Sequence, residues 1–113
     1  MNLTELVEKF ELRIYAGRNE LKRTISGGYV SDLLSDVIAH AKKDHLWITF
    51  QIHPNIIAVA VLKELAAIVL VNGREPDAET LERAEKERVA IFGTPLNAFE
   101  FVGRLYGLGI KGQ

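Results

Sequence analysis

Along the chain the apolar positions switch repeatedly between a helical and a strand-like period. From Asn2 to Phe10, Leu3, Leu6, Val7 and Phe10 recur at helical spacing, with Asn2 or Thr4 placed to cap the first turn. Leu12 to Tyr15 alternates like a half-buried strand and stops at the turn cluster Ala16-Gly17-Arg18-Asn19. Arg23 to Gly28 predicts a second short strand. Ser31 and Asp32 then stand where a helix cap belongs, ahead of Leu33, Leu34, Val37, Ile38 and Ala41, whose spacing gives one apolar face as far as Lys43.

The second half is more regular. Leu46 to Phe50 reads as a strand, Asn55 to Leu65 as a helix, and Ala67 to Val71 as a nearly continuous apolar strand of the kind buried on both faces in parallel sheets. Pro76 and Asp77 open a charged helix to about Arg88, and Val89 to Phe92 forms another strand. Thr94 with Pro95 in the first turn predicts the start of a last helix ending near residues 107–109. Strands alternating with helices from 46 to 109 imply right-handed crossovers. The fold class is therefore α/β: one three-layer domain over residues 1–113, with a mostly parallel central sheet of about five strands and helices on both faces.

Composition narrows the partners. Fourteen Lys and Arg against fifteen Asp and Glu give a net charge of −1, so no global positive field draws in phosphate backbones, and nucleic acid is not expected as a partner. The apolar stretch Ile56 to Val71 is broken by Lys63 and Glu64, short of the roughly 20 apolar residues a spanning helix needs, so no membrane role is expected. Met1 to Glu5 has no basic region followed by an apolar stretch, which argues against a secretory signal. With no cysteine there is no disulfide framework, thiolate metal site or cysteine nucleophile, which suits a reducing, cytoplasmic setting.

Candidate chemistry lies in two places. The glycine pair Gly27-Gly28 precedes Tyr29, Ser31 and Asp32. It is read either as a tight strand-to-helix turn or as a point where backbone approaches a partner or anion. Asp32 disfavours an anion. The second place is the carboxyl edge of the parallel strands, where open α/β sheets form ligand crevices. Three loops meet there in this reading, and Gln51, His53, Asn55, Asn72, Gly73 and Thr94 are the candidate ligand-binding residues, with capping and turn formation as the alternative. His40, His45 and His53 are not at metal-ligand spacing, and no serine stands in a nucleophile-elbow context, so neither metal nor catalysis is expected. On the last helix Phe99 and Phe101 are two residues apart and cannot share a face with each other, so one aromatic is expected to point outward.

Leu21-Lys22-Arg23-Thr24-Ile25-Ser26-Gly27-Gly28, followed by Tyr29 to Val37, resembles the signature of the DRTGG domain. The resemblance continues through Leu46 to Thr49, Val71 to Pro76 and Gly103 to Tyr106. Lys22 stands where the name has aspartate, Ser26 where it has threonine, and Asp44-His45 where a Gly-Asp pair is expected. The family is similar to the amino-terminal domain of HPr kinase/phosphorylase, and its members also occur attached to phosphotransacetylases and beside CBS pairs in regulated pyrophosphatases. The resemblance implies a prokaryotic, cytoplasmic, stand-alone regulatory or scaffolding module without catalysis or cofactor. Such a module would be homodimeric, binding a nucleotide-like or anionic effector or docking onto a metabolic enzyme. In that setting Gly27, Gly28, Tyr29 and Asp32 are the expected close-approach segment. A pure interaction domain, or a small phosphotransfer or hydrolytic enzyme working through His53, are the alternatives.

Overall fold

A computed structural model describes residues 1–112 and shows five helices around a five-stranded sheet. Helix α1 (Leu3–Phe10) starts where the sequence predicts: the Asn2 side chain accepts from the Glu5 amide at 2.9 Å while Glu5 Oε1 accepts from the Asn2 amide, a reciprocal cap. Strand β1 (Arg13–Ala16) follows, then a short 3₁₀ turn at Arg18–Glu20. The remaining strands are β2 (Gly27–Val30), β3 (His45–Thr49), β4 (Ala67–Leu70) and β5 (Ile91–Gly93). The helices α2 (Leu34–His40), α3 (Asn55–Leu62), α4 (Ala78–Glu87) and α5 (Ala98–Gly107) alternate with them.

The sheet order is β1-β5-β4-β3-β2, parallel from β2 to β5, with β1 antiparallel at the β5 edge. Each parallel strand lies beside its predecessor, so α2, α3 and α4 all pack on one face. Their Val37, Ile56, Ala60 and Ala84 close over Trp47, Ile68, Leu70 and Ile91. Helices α1 and α5 cover the other face, where Leu3, Leu6, Phe101 and Leu105 meet Leu46, Ile48, Val69 and Phe92. Ile68 and Val69 are both fully buried, as the unbroken run from Ala67 requires.

Helix and strand limits shift by a few residues throughout, and the departure from the sequence reading matters most at three places. The second strand is not Arg23 to Gly28 but Gly27 to Val30, so the glycine pair lies inside a strand and not in a turn. Residues 23–26 spend their backbone groups elsewhere: Arg23 C=O accepts from Leu3, the Ile25 amide donates to Met1 and the Ser26 amide to Asp44. Helix α2 begins at Leu34, with Leu33 at the cap position and no side-chain cap bond. Asp32 cannot cap because its Oδ1 accepts from the Thr49 hydroxyl at 2.6 Å and the Phe50 amide at 3.0 Å. The cap of α5 is Asn97, which accepts from the Glu100 amide, whereas Thr94 is buried and its hydroxyl accepts from the Leu96 amide.

Candidate functional site

At the carboxyl ends of the strands the chain changes faces between β4, which leads to α4, and β5, which leads to α5. Loops usually part at such a point and leave a crevice. Here backbone hydrogen bonds join them: the Asn72 amide donates to Leu96 C=O at 2.8 Å, and the Gly73 amide to Thr94 C=O at 2.9 Å. Asn72 and Gly73 both have positive φ, 59° and 68°, the geometry of a tight Asn-Gly turn. Asn72, Gly73 and Thr94 are thus brought together, with the Asn72 side chain and Gly73 exposed.

The β3–α3 loop holds the other three candidates. Gln51 Nε2 donates to Asp32 C=O at 3.1 Å, and its amide donates to the Thr49 hydroxyl. His53 Nδ1 lies 2.8 Å from Asn55 Oδ1, and both residues are exposed. The Asp77 carboxyl is held below the usual carboxylate range by bonds from the Thr80 hydroxyl and amide, with the nearby His53 charge adding to them. Phe50 and Arg74, which the sequence reading passed over, bridge this loop to the next: Phe50 is half exposed and the Arg74 guanidinium stands 5.6 Å from its ring centre. A strand-terminal aromatic followed on the next loop by an arginine was the available signal.

The expected close-approach segment lies along and just after β2, one of the two edge strands of the sheet. Gly28 has no positive φ, and a Cβ placed there would meet nothing nearer than Leu46 O at 3.7 Å, so an alanine is accommodated. Its amide points away from β3 and donates to Lys111 C=O at 2.9 Å, so the segment after α5 covers part of this edge. Tyr29 turns to the opposite face, where its hydroxyl donates to the Asp36 carboxylate at 2.9 Å; His40 Nδ1 lies 3.0 Å from the same group.

Titration of this cluster follows from its geometry. Hydrogen bonds from Ser31 first, then from Tyr29, together with His40, hold Asp36 below the ordinary aspartate range, and the bond to Asp36 raises Tyr29 above the ordinary tyrosine value. The depressed Asp36 contributes stability at neutral pH that is lost as pH falls through its folded value. The raised Tyr29 contributes below about pH 10 and loses its contribution as pH rises through its folded value. Tyr29→Phe is therefore expected to melt below the wild type at pH 7, with the gap closing towards pH 11. A gap that stays constant across that range would show that the hydroxyl bond does not couple to folding.

On α5 the two phenylalanines separate as their spacing requires: Phe101 is fully buried and edge-on to Phe10, and Phe99 is 86% exposed. Tyr106 is also exposed, with Lys111 Nζ 4.7 Å from its ring centre. Between α5 and β2 runs an apolar groove of about 360 Å³, lined by Gly28, Val30, Ile48, Val102, Tyr106 and Ile110.

These features define a small three-layer α/β module with two exposed aromatics, Phe99 and Tyr106, along its last helix. The chain belongs to the DRTGG domain family, whose family model matches residues 5–108. Among solved structures it is similar to the CBS and DRTGG domains of the regulatory region of Clostridium perfringens pyrophosphatase, determined in complex with the activator diadenosine tetraphosphate. The two share 16% identity at a TM-score of 0.77, over 97% of this chain and 47% of that one. The chain thus spans about half the length of that structure. No curated protein matches it. Among the described residues no helix is long and apolar enough to cross a membrane.

Proposed function

We propose that this chain is a regulatory module that works as a homodimer and responds to a nucleotide-like or anionic effector, with no catalytic step of its own. The observation that carries the pairing is Phe99 on α5: an 86% exposed phenylalanine on a helix whose other face is packed is apolar surface that the described residues leave largely uncovered. The effector class is supported by the similar regulatory region and its dinucleotide activator. Phe50 and Arg74 offer a ring face and a guanidinium at the strand-end loops that also carry His53 and Asn55, and Asn72 and Gly73. A phosphotransfer role for His53 fits less well, because Nδ1 is engaged with Asn55 and the Asp77 carboxylate nearby would repel an incoming phosphoryl group.

Light scattering at tens of micromolar is expected to give twice the 12.6 kDa mass of one chain. Thermal-shift titration with diadenosine tetraphosphate, ATP and AMP is expected to stabilise the protein by about 2.7 kcal/mol at 100 times Kd for the preferred ligand. A dimer that none of these ligands stabilises at millimolar concentration would leave a pure interaction domain. A monomer would remove the pairing.

A further inference from the structure

Resting on the pairing reading above, we propose that two copies meet through α5 in antiparallel register about a twofold axis near Gly103, each Phe99 seating in the α5–β2 groove of the other copy. Phe99, Gly103 and Tyr106 fall at i, i+4 and i+7 and form one outward line on the helix. Phe99 lies four residues before Gly103 and Tyr106 three after it, so an antiparallel copy brings each Phe99 opposite the other chain's Tyr106, at the mouth of the groove. The groove has an apolar floor at Ile48 and Leu105, both buried, and an exposed rim at Val30 and Tyr106. Its volume of about 360 Å³ takes a phenyl ring. The exchange is reciprocal and closed, as an isologous contact must be.

Charge agrees with this choice. Glu100 and Arg104 flank the stripe and lie 3.9 Å apart within one chain; antiparallel pairing sets the Glu100 of each copy towards the Arg104 of the other, opposite signs on both sides of the axis. An added Cβ at Gly103 or Gly107 would meet nothing within 4 Å, so neither glycine is required by packing inside the chain, and both let a second helix come close. Strand addition at β2 is the competing contact, but the Lys111 carbonyl already takes the outward amide of Gly28. The α3–α4 groove is mixed: the exposed Val61 and Leu62 line its α3 side, and Glu79, Glu82, Arg83, Lys86 and Glu87 wall its α4 side with charge.

The chain has no cysteine, so Gly103→Cys supplies a single thiol beside the proposed axis. Mild oxidation is expected to convert this variant to a covalent dimer, whereas Ser35→Cys on α2 stays monomeric on a denaturing gel. Phe99→Ser, at an exposed site, is expected to keep the wild-type melting profile at dilutions where both are monomeric, while weakening the dimer about 30-fold or more by sedimentation equilibrium. Gly28→Val, which fills the groove from the strand side, is expected to weaken it as well. A wild type that is monomeric overturns the pairing reading itself. A wild type that is dimeric, with Phe99→Ser equally dimeric and no Gly103→Cys crosslink, overturns the α5 contact and leaves pairing to another face.

Discussion

Gly17→Ala is expected to cost roughly 3–5 kcal/mol, the sum of a left-handed backbone penalty and a steric one that the surroundings cannot relieve. Gly17 has φ +88°, and an ideal Cβ there would stand 2.4 Å from Ala90 Cα and 2.6 Å from Ala90 Cβ. The obstacle is backbone just ahead of β5, one of the strands at the centre of the sheet, and not the end of a flexible side chain. Relief requires the turn after β1 to lift from the sheet, breaking the pairing of Ala16 with Ile91. Gly73→Ala provides the control: its φ is +68°, but nothing lies within 4 Å of the added atom, so about 1 kcal/mol is expected from backbone conformation alone. Urea unfolding of the two variants separates the terms. Equal losses in both would mean that the contact with Ala90 is not what holds Gly17 as glycine.

The contrast between these glycines shows what a one-dimensional reading can reach. Ala16-Gly17-Arg18-Asn19 announces a turn, and Asn72-Gly73 announces another, but only the placement of β1 beside β5 puts Ala90 under the first of them. Features governed by near neighbours were legible: the start of α1 at Asn2, one of the two candidate caps, the start of α4 at Asp77, and the separation of Phe99 from Phe101. So was the burial of β4 on both faces, because an apolar run has nowhere else to go. That the second strand starts at Gly27-Gly28 and runs on to Val30, where the sequence reading ended it at Gly28, was not legible, since glycine disfavours extended structure and only the distant β3 supplies the pairing. The helix starts failed for the same reason: Asp32 and Thr94 are good caps by type, yet one is drawn to the end of β3 and the other is folded into the β5 turn. At the candidate site, loop residues could be named in sequence, but their mutual bonds could not. Asp32 bonded to Thr49 and Phe50, and the Asn72 and Gly73 amides bonded across to the loop after β5, depend on strand order.

Trp47 is the side chain on which that arrangement turns, and Trp47→Ala is expected to have the largest effect of any core truncation. It is fully buried at the centre of β3, facing the layer of α2 and α3, and its Nε1 donates to Ser31 C=O at 2.8 Å. Truncation removes roughly 3–5 kcal/mol through lost packing and the cavity left behind. A further ~1 kcal/mol follows from the carbonyl left without its donor. Against a domain stability of about 5–15 kcal/mol, that is enough to bring the fold close to its limit. Trp47→Phe keeps a ring in place and loses the N–H, so it is expected to fall between the two, with more of the loss appearing locally. Ser31 leads into Asp32, and Asp32 holds the Phe50 amide at the strand-end loops. Freeing the Ser31 carbonyl should therefore speed exchange of the Phe50 amide in Trp47→Phe while amides in the middle of β4 keep their protection. Because this is the only tryptophan, unfolding has to be followed by circular dichroism. A Trp47→Ala loss below about 1.5 kcal/mol would mean that the site collapses freely, in conflict with the packing seen around it. Unchanged Phe50 exchange in Trp47→Phe would mean that the indole stabilises the core without positioning the loop.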